Sequence, residues 1–274
     1  MKPVQFKYVS CVEVRHATTS LQQLANAKYI GGGQSLGPML NLRLARPETL
    51  VGVTTIQALQ QIKEDKKGIS YGAATCHAKF EDGLVPDASN GMLRHVAGGI
   101  AYRAVRNRGT LGGSLAHADP AADWVNVMVA LDAQIQVVGP EGERSIPSAE
   151  FMQAAFMTAL QPGEMIQSVW VPRLSANARW GYYKCCRKVG EFSEATGTVV
   201  IDPERGYARI VLGALDGPPE LQETLADILS SRGTESAMDS VEEAIAPSLE
   251  GMTSYRRQLC ITAIRRALQQ LRGK

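Results

Sequence analysis

The sequence predicts an α+β protein in two domains, residues 1–174 and 178–274. Three observations lead there. Short strand and helix signals alternate through the first two thirds of the chain, broken by glycine-rich stretches after Ile30 and Arg108. Beyond Asn177 the order becomes strands first and helices last, the pattern of a separate α+β unit. Of the 274 residues, 45% are hydrophobic and 20% charged, which is enough apolar material for real cores.

Lys28, Tyr29 and Ile30 give a short strand signal that stops at Gly31. Residues 49–53 are a second strand. Thr54 then fits a helix N-cap, with Ile56, Leu59 and Ile62 at helical spacing. A charged turn at 63–67 and Gly68 close that helix, and residues 69–73 read as a further strand. A helix is expected over about residues 86–100, with Leu93 and Val96 among its apolar positions. Another follows Pro120 and carries Trp124, Val127, Met128 and Leu131. Residues 134–138 alternate like a strand, and Gly139-Pro140-Glu141-Gly142 turns the chain as a hairpin. Residues 166–171 form a strand ended by Pro172. In the second domain, residues 182–186, 197–201 and 207–215 read as three strands. The tight turn at 202–206 makes the last two antiparallel. Helices finish the chain, the last with Leu259, Ile264, Leu268 and Leu271 on one face.

Composition excludes several function classes. Basic residues number 29 and acidic residues 27, a net charge of +2, which disfavours a nucleic-acid binder. No apolar run approaches the ~18–20 residues that span a bilayer, and the N-terminus carries no export signal. A cytoplasmic protein is expected. Cys11, Cys76, Cys185, Cys186 and Cys260 include no C-x-x-C, so neither a disulfide framework nor a zinc or iron–sulfur site is expected.

The chemistry concentrates in two stretches. The first, Gly31-Gly32-Gly33-Gln34-Ser35-Leu36-Gly37-Pro38, directly follows a strand. Its glycines allow positive φ and close ligand approach, and consecutive N–H groups can form a nest for a pyrophosphate. It lacks the P-loop lysine, and Leu36 stands where G-x-G-x-x-G has its third glycine. A tight turn explains the same residues, and this stretch alone does not decide. Gly33-Gln34-Ser35-Leu36-Gly37 also matches the G-x-S-x-G elbow of serine hydrolases. Asp82 with His95, or Asp87 with His117, would follow Ser35 in the required order. Residues 38–42 are a poor match to the long hydrolase helix, so this reading is the minor one.

The second stretch spans residues 106–123 and includes Gly109-Thr110-Leu111-Gly112-Gly113-Ser114, read as a loop. Two phosphate-type loops in one domain suit a large diphosphate ligand. Asp119 is expected to N-cap the next helix with Pro120 at its first position. Asp123 has no capping role at that spacing, so a ligand hydroxyl is an alternative partner. His117 lacks further metal ligands at suitable spacing and reads as a loop histidine.

These stretches resemble the flavin subunit of the molybdenum hydroxylases, the xanthine dehydrogenase and carbon monoxide dehydrogenase family. The family's first loop resembles A-G-G-Q/H-S-L-x-P followed by N-L-R-L-A-R-P. This chain has residues 31–38 and then Asn41-Leu42-Arg43-Leu44-Ala45-Arg46-Pro47. Its second loop, R-N-x-x-T-I/L-G-G-S/N, is met by residues 106–114. A later segment, K-x-x-R-R-x-x-D-F/W, is approached by residues 184–192. There Glu191 replaces the usual Asp, and Ser193-Glu194 follows where small apolar residues are common.

The resemblance implies a two-lobed FAD-binding domain of the PCMH or vanillyl-alcohol-oxidase-like type, divided near residues 55–65. It also implies a C-terminal α+β domain with a three-stranded antiparallel sheet and helices. Ile30, Gly31, Gly32, Gly33, Gln34 and Ser35 would hold the FAD pyrophosphate through backbone N–H groups. Thr110, Leu111, Gly112, Gly113 and Ser114 would form the opposing wall. Asp123 would accept hydrogen bonds from the cofactor, Ile166 would lie near the nucleotide and Lys184 near the flavin. A cation at the N1–C2=O end of the ring favours anionic reduced flavin and raises its potential. A lysine stem lying along the strand is the plainer alternative for Lys184. No catalytic residue or metal ligand is expected of this chain. The implied function is electron transfer in a heteromeric complex. Electrons would reach FAD from 2Fe–2S clusters on a small subunit, fed by a molybdopterin-bearing large subunit, and pass to NAD or another soluble acceptor. A stand-alone FAD oxidoreductase of related fold is the alternative.

Overall fold

A computed structural model describes residues 1–271; residues 272–274, the end of the expected second domain, lie outside them. The chain begins with β1 (Lys7–Ser10), α1 (Val14–Gln23), β2 (Ala27–Ile30), α2 (Leu36–Asn41) and β3 (Thr49–Gly52). β3 is central, with β1 and β2 parallel to it on either side. Both faces of β3 are covered, as a parallel sheet requires. Val51 packs with Cys11, Ala17, Ile56 and Leu59, and Leu50 packs with Leu40 and Ala45. β2 ends at Ile30, so the first glycine stretch leaves the carboxyl end of a parallel sheet, where open α/β sheets bind ligands. β1 and α1 gave no sequence signal. β1 is only four residues long and mostly exposed, and α1 buries only Ala17, Thr18 and Ser20.

The helix expected after Thr54 is absent. Gln57–Gln60 is one 3-10 turn and Ile62–Glu64 is a strand, β4. Ile56 and Leu59 are three residues apart and fully buried, and a single 3-10 turn satisfies that spacing as well as an α-helix does. Ile62 instead pairs with Tyr71 of β5 (Gly68–Gly72). The Asp65 carboxylate shapes the turn between them, accepting from the N–H groups of Lys67 at 2.7 Å and Gly68 at 2.8 Å.

Next come α3 (His77–Glu81), α4 (Met92–Gly98), α5 (Arg103–Arg106), α6 (Leu111–His117) and α7 (Asp123–Ala130). β6 (Gln134–Gly139) and β7 (Gly142–Pro147) form the expected hairpin. α8 (Ser148–Phe151), the ribbon of β8 (Met152–Ala154) and β9 (Met157–Thr158), and β10 (Met165–Pro172) follow. The order β4-β5-β10-β6-β7 is antiparallel throughout. Tyr71, Ile135 and Val169 of this sheet share a core with Phe80, Met92, Leu115, Trp124 and Met128 of the helices. α4 starts later than expected because Asp87 turns the chain first, accepting from the N–H groups of Ser89 and Gly91. Asp119 does not cap α7. Its Oδ1 accepts from the Ala121 N–H at 2.9 Å in a turn, and the helix begins at Asp123.

The last third forms β11 (Arg179–Cys185), β12 (Ala195–Asp202), β13 (Tyr207–Gly213) and β14 (Glu220–Leu221), then α9 (Glu223–Ala244) and α10 (Ser254–Gln270). The sheet therefore has four antiparallel strands, not three. β14 is two residues long, too short for any periodic signal. Side chains alternate strictly between two buried faces. Trp180, Tyr182, Val200 and Val211 enter the core of the first two thirds, while Val199, Ile201, Ile210 and Leu212 pack on α9 and α10. The backbone of α10 rests directly on glycines. A Cβ on Gly181 would stand 1.9 Å from the Ala267 carbonyl oxygen, and one on Gly197 2.4 Å from that of Ala263.

Gly181→Ala and Gly197→Ala should each lower unfolding stability by at least about 1–3 kcal/mol, because the helix must lift off the sheet. Gly217→Ala, with nothing within 4 Å of its Cβ, should be near neutral. Thermal denaturation of the three variants checks this.

Candidate functional site

Residues 31–35 turn from β2 into α2. Gly33 has φ +72°, the left-handed conformation that favours glycine. The N–H groups of residues 32–35 donate to no acceptor among the described residues. The Gln34 side-chain amide folds back on the Gly32 carbonyl at 3.1 Å. Ser35 is exposed and its hydroxyl does not cap α2. Successive N–H groups without internal partners are a backbone arrangement that can accept an anion.

The second stretch is not a loop. Thr110 N-caps α6, its Oγ1 accepting from the Gly113 N–H at 3.1 Å, and Leu111, Gly112, Gly113 and Ser114 build the first turn. Leu111 and Leu115 are four apart and fully buried, and that anchoring outweighs the poor helix propensity of the glycines. Gly112 donates to the Ala73 carbonyl at 2.9 Å, and a Cβ there would lie 2.5 Å from the Ala73 Cβ. Its lack of a side chain therefore serves packing inside the protein.

The two stretches touch. A Cβ on Gly32 would stand 1.9 Å from the Arg108 carbonyl oxygen, and one on Gly31 3.2 Å from Thr110 Oγ1. His77 supports this contact from behind. Its N–H donates to the Gly109 carbonyl at 3.0 Å, and its Nδ1 accepts from Trp124 Nε1 at 3.0 Å. Burial, with Arg106 adding to it, pushes the His77 pKa down to about 4. Arg106, the first residue of the second family motif, is a framework clamp. It grips Glu81 with two hydrogen bonds, at 2.7 and 2.8 Å, and donates to the carbonyls of Ile100 and Ala101.

Asp123 and Lys184 meet as an ion pair. Lys184 Nζ lies 2.9 Å from Asp123 Oδ1 and 3.3 Å from Oδ2, and also donates to the Gly99 carbonyl at 2.9 Å. The side chains are only 12% and 9% exposed, so Lys184 does not simply lie along its strand. The Tyr182 hydroxyl donates to the same Asp123 Oδ1. Sequence reasoning missed Tyr182 and His77. Period-two spacing to Lys184 was the available signal for Tyr182, and His77 carried none. Ile166 puts its side chain in the main core, 4% exposed, at a β-bulge on β10. The next residue ties this bulge to α6, since the Gln167 carbonyl accepts from Ala73 N–H at 3.0 Å and the Ala73 carbonyl accepts from Gly112.

The residues a Ser35 hydrolase would need are engaged elsewhere. Asp82 pairs with Arg103, Asp87 shapes the turn before α4, His95 packs on Trp180, and His117 packs on Phe156. α2 is six residues long, not the long helix of a nucleophile elbow.

Unpaired N–H groups at the carboxyl end of a parallel sheet, beside a helix start, are an arrangement that suits an anionic ligand. Residues 4–174 match the family described as the FAD binding domain in molybdopterin dehydrogenase. The chain is 35% identical to 6-hydroxypseudooxynicotine dehydrogenase complex subunit alpha of Paenarthrobacter nicotinovorans, covering 98% of this chain and 95% of that one. It is 31% identical to the carbon monoxide dehydrogenase medium chain of Hydrogenophaga pseudoflava, covering 98% and 97%. Its fold matches the solved carbon monoxide dehydrogenase of that organism, in the form lacking the Mo-pyranopterin moiety. The TM-score is 0.90, with 100% of this chain and 99% of that chain covered at 31% identity. Quinoline 2-oxidoreductase from Pseudomonas putida 86 matches with TM-score 0.90 at 28% identity, covering 100% and 99%. The chain therefore belongs to the FAD-binding medium subunits of the molybdenum hydroxylase family, subunits of oxidoreductases, and FAD is its cofactor.

The buried neutral His77 sets a pH dependence. Its folded pKa of about 4 lies below the ordinary 6.5, so between those values the unfolded chain takes up a proton that the folded chain refuses. Its contribution to stability is complete above pH 6.5 and is lost as pH falls towards 4, by up to about 3 kcal/mol. Denaturant unfolding from pH 7 to 4 should show that loss, and His77→Gln should flatten it.

Proposed function

We propose that this chain is the electron-transfer flavoprotein subunit of a heteromeric molybdenum-dependent dehydrogenase. The carrying observation is the row of unpaired N–H groups at residues 32–35 beside the start of α6. A diphosphate supplies acceptors for these groups without any lysine or arginine. In this reading Ile30, Gly31, Gly32, Gly33, Gln34 and Ser35 hold the FAD pyrophosphate. Thr110, Leu111, Gly112, Gly113 and Ser114 form the facing wall. Ile166 takes part through its backbone, because its side chain is committed to the core. Asp123 and Lys184 lie at the flavin end. Lys184 Nζ makes three contacts, with Gly99 at 2.9 Å and with the two Asp123 oxygens at 2.9 and 3.3 Å, and the longest, to Oδ2, is the one a ring acceptor would displace. Bound there, FAD would supply the redox chemistry of the subunit.

Partners follow from the same reading. An iron–sulfur cluster needs about four thiolates together. The five cysteines here are free and dispersed along the sequence, and no group of three or more His, Cys, Asp or Glu among the described residues could hold a metal. Electrons from an organic substrate therefore reach this chain from outside, from a small subunit with 2Fe–2S clusters and a large molybdopterin subunit. They leave to NAD or another soluble acceptor. Several relatives are named as the medium member of a larger assembly, including a nicotine 6-hydroxylase medium subunit and a glyceraldehyde dehydrogenase medium chain. No helix among the described residues is long and apolar enough to cross a membrane.

Two experiments test the reading. Gly32→Ala forces its Cβ against the Arg108 carbonyl and should cut flavin content at least tenfold with unchanged circular dichroism. Gly37→Ala, with open space at its Cβ, should keep normal flavin content. Absorbance per chain decides. In anaerobic stopped flow, the FAD-loaded chain alone should not be bleached by heterocycles or aldehydes, and adding the iron–sulfur and molybdopterin subunits should restore bleaching. Reduction of the chain alone at the complex's rate would instead establish a stand-alone flavoprotein.

A further inference from the structure

The ion pair of Asp123 and Lys184 has a third member. Tyr182 is buried, and its hydroxyl donates to Asp123 Oδ1. Tyr182 and Lys184 are two residues apart on β11, so both side chains leave the same face of the sheet. The tyrosine is held from several sides. β11 is an edge strand, and Gln270 of α10 completes its open edge at this residue. The Tyr182 N–H donates to Gln270 Oε1 at 2.8 Å, and Gln270 Nε2 donates to the Tyr182 carbonyl at 2.9 Å. The ring lies edge-on to His95, with centroids 6.5 Å apart at 78°. The hydroxyl therefore has a fixed address on the carboxylate.

We propose that Tyr182 is a positioning residue that shares the Asp123 carboxylate with Lys184, so that the ammonium's longest contact, the one to Oδ2, can yield to the flavin. This rests on the reading of Lys184 as the cation at the flavin. Oδ1 receives both donors, while Oδ2 has only the longer contact with Lys184. With the hydroxyl removed, the buried carboxylate has Lys184 alone to satisfy it, and an unsatisfied buried acceptor is costly. The pair tightens, and more of the ammonium's field is cancelled before it reaches the ring. Tyr182 remains a donor throughout, because burial and the Asp123 carboxylate both push its pKa well above the ordinary value.

The test is a redox titration of the FAD-loaded full chain. Tyr182→Phe should keep FAD content and lower the flavin midpoint potential, by less than Lys184→Met does. In an Asp123→Asn background, Tyr182→Phe should cause no further shift, since no carboxylate is left to share. A merely structural tyrosine would lower the melting temperature in both backgrounds and leave the potential alone. An unchanged potential in Tyr182→Phe, or the same shift in the Asp123→Asn background, overturns the proposal. Loss of FAD from Tyr182→Phe does so too, because the hydroxyl would then serve binding. If Lys184→Met also leaves the potential unchanged, the flavin role of Lys184 fails and the proposal falls with it. If Lys184→Met lowers the potential and Tyr182→Phe does not, the positioning role fails alone.

Discussion

Backbone meeting backbone is the constraint on which the rest of this structure depends. Gly32 lies so close to the Arg108 carbonyl that no side chain fits between them. That contact brings two stretches some 75 residues apart in sequence onto one surface. Gly112 repeats the device one layer deeper, against Ala73 at the end of β5. The same closeness leaves the N–H groups of residues 32–35 pointing at no internal acceptor. Buried N–H groups are rarely left unpaired. Gly33 and Gln34 are half-buried and Ser35 is exposed, so solvent can serve their N–H groups until an anion replaces it, while Gly32 is buried against Arg108. Packing and binding thus make one demand on the sequence, for glycine.

The second organising feature joins the two halves of the chain. The sheet of β11 to β14 is covered on both faces, by α7 and its neighbours on one side and by α9 and α10 on the other. The pair of Asp123 and Lys184 crosses that junction at a point nearly closed to solvent. Asp123 opens α7, where the helix dipole also favours a carboxylate. Breaking a buried pair by removing one partner leaves a charge stranded, which in general costs about 3–5 kcal/mol. Any substitution at either residue therefore acts on the junction as well as on the site. Potential and stability must be read separately for such variants.

Much of this was legible in the sequence, for identifiable reasons. The hairpin at Gly139 and Gly142 carries its own turn chemistry, and the alternating strands of the C-terminal sheet show their period directly. The two glycine stretches pointed to a diphosphate ligand, and their family motifs pointed to FAD. What escaped depends on tertiary contact. A 3-10 turn at Gln57–Gln60 satisfies the same buried spacing as a helix. Residues 111–114 read as a loop because glycine opposes helix, yet buried leucines and the Thr110 cap hold them helical. β14 is too short to announce itself. The partnership of Asp123 and Lys184 spans 61 residues and belongs to no local pattern.

The central claim is that the unpaired N–H groups of residues 32–35 receive the FAD diphosphate. Amide hydrogen exchange, resolved to single residues with and without FAD, tests it most directly. Exchange at Gly33, Gln34 and Ser35 should be fast in the FAD-free chain, and exchange at all four amides should be strongly slowed when FAD is bound. Full flavin occupancy with unchanged exchange at all four would contradict the account.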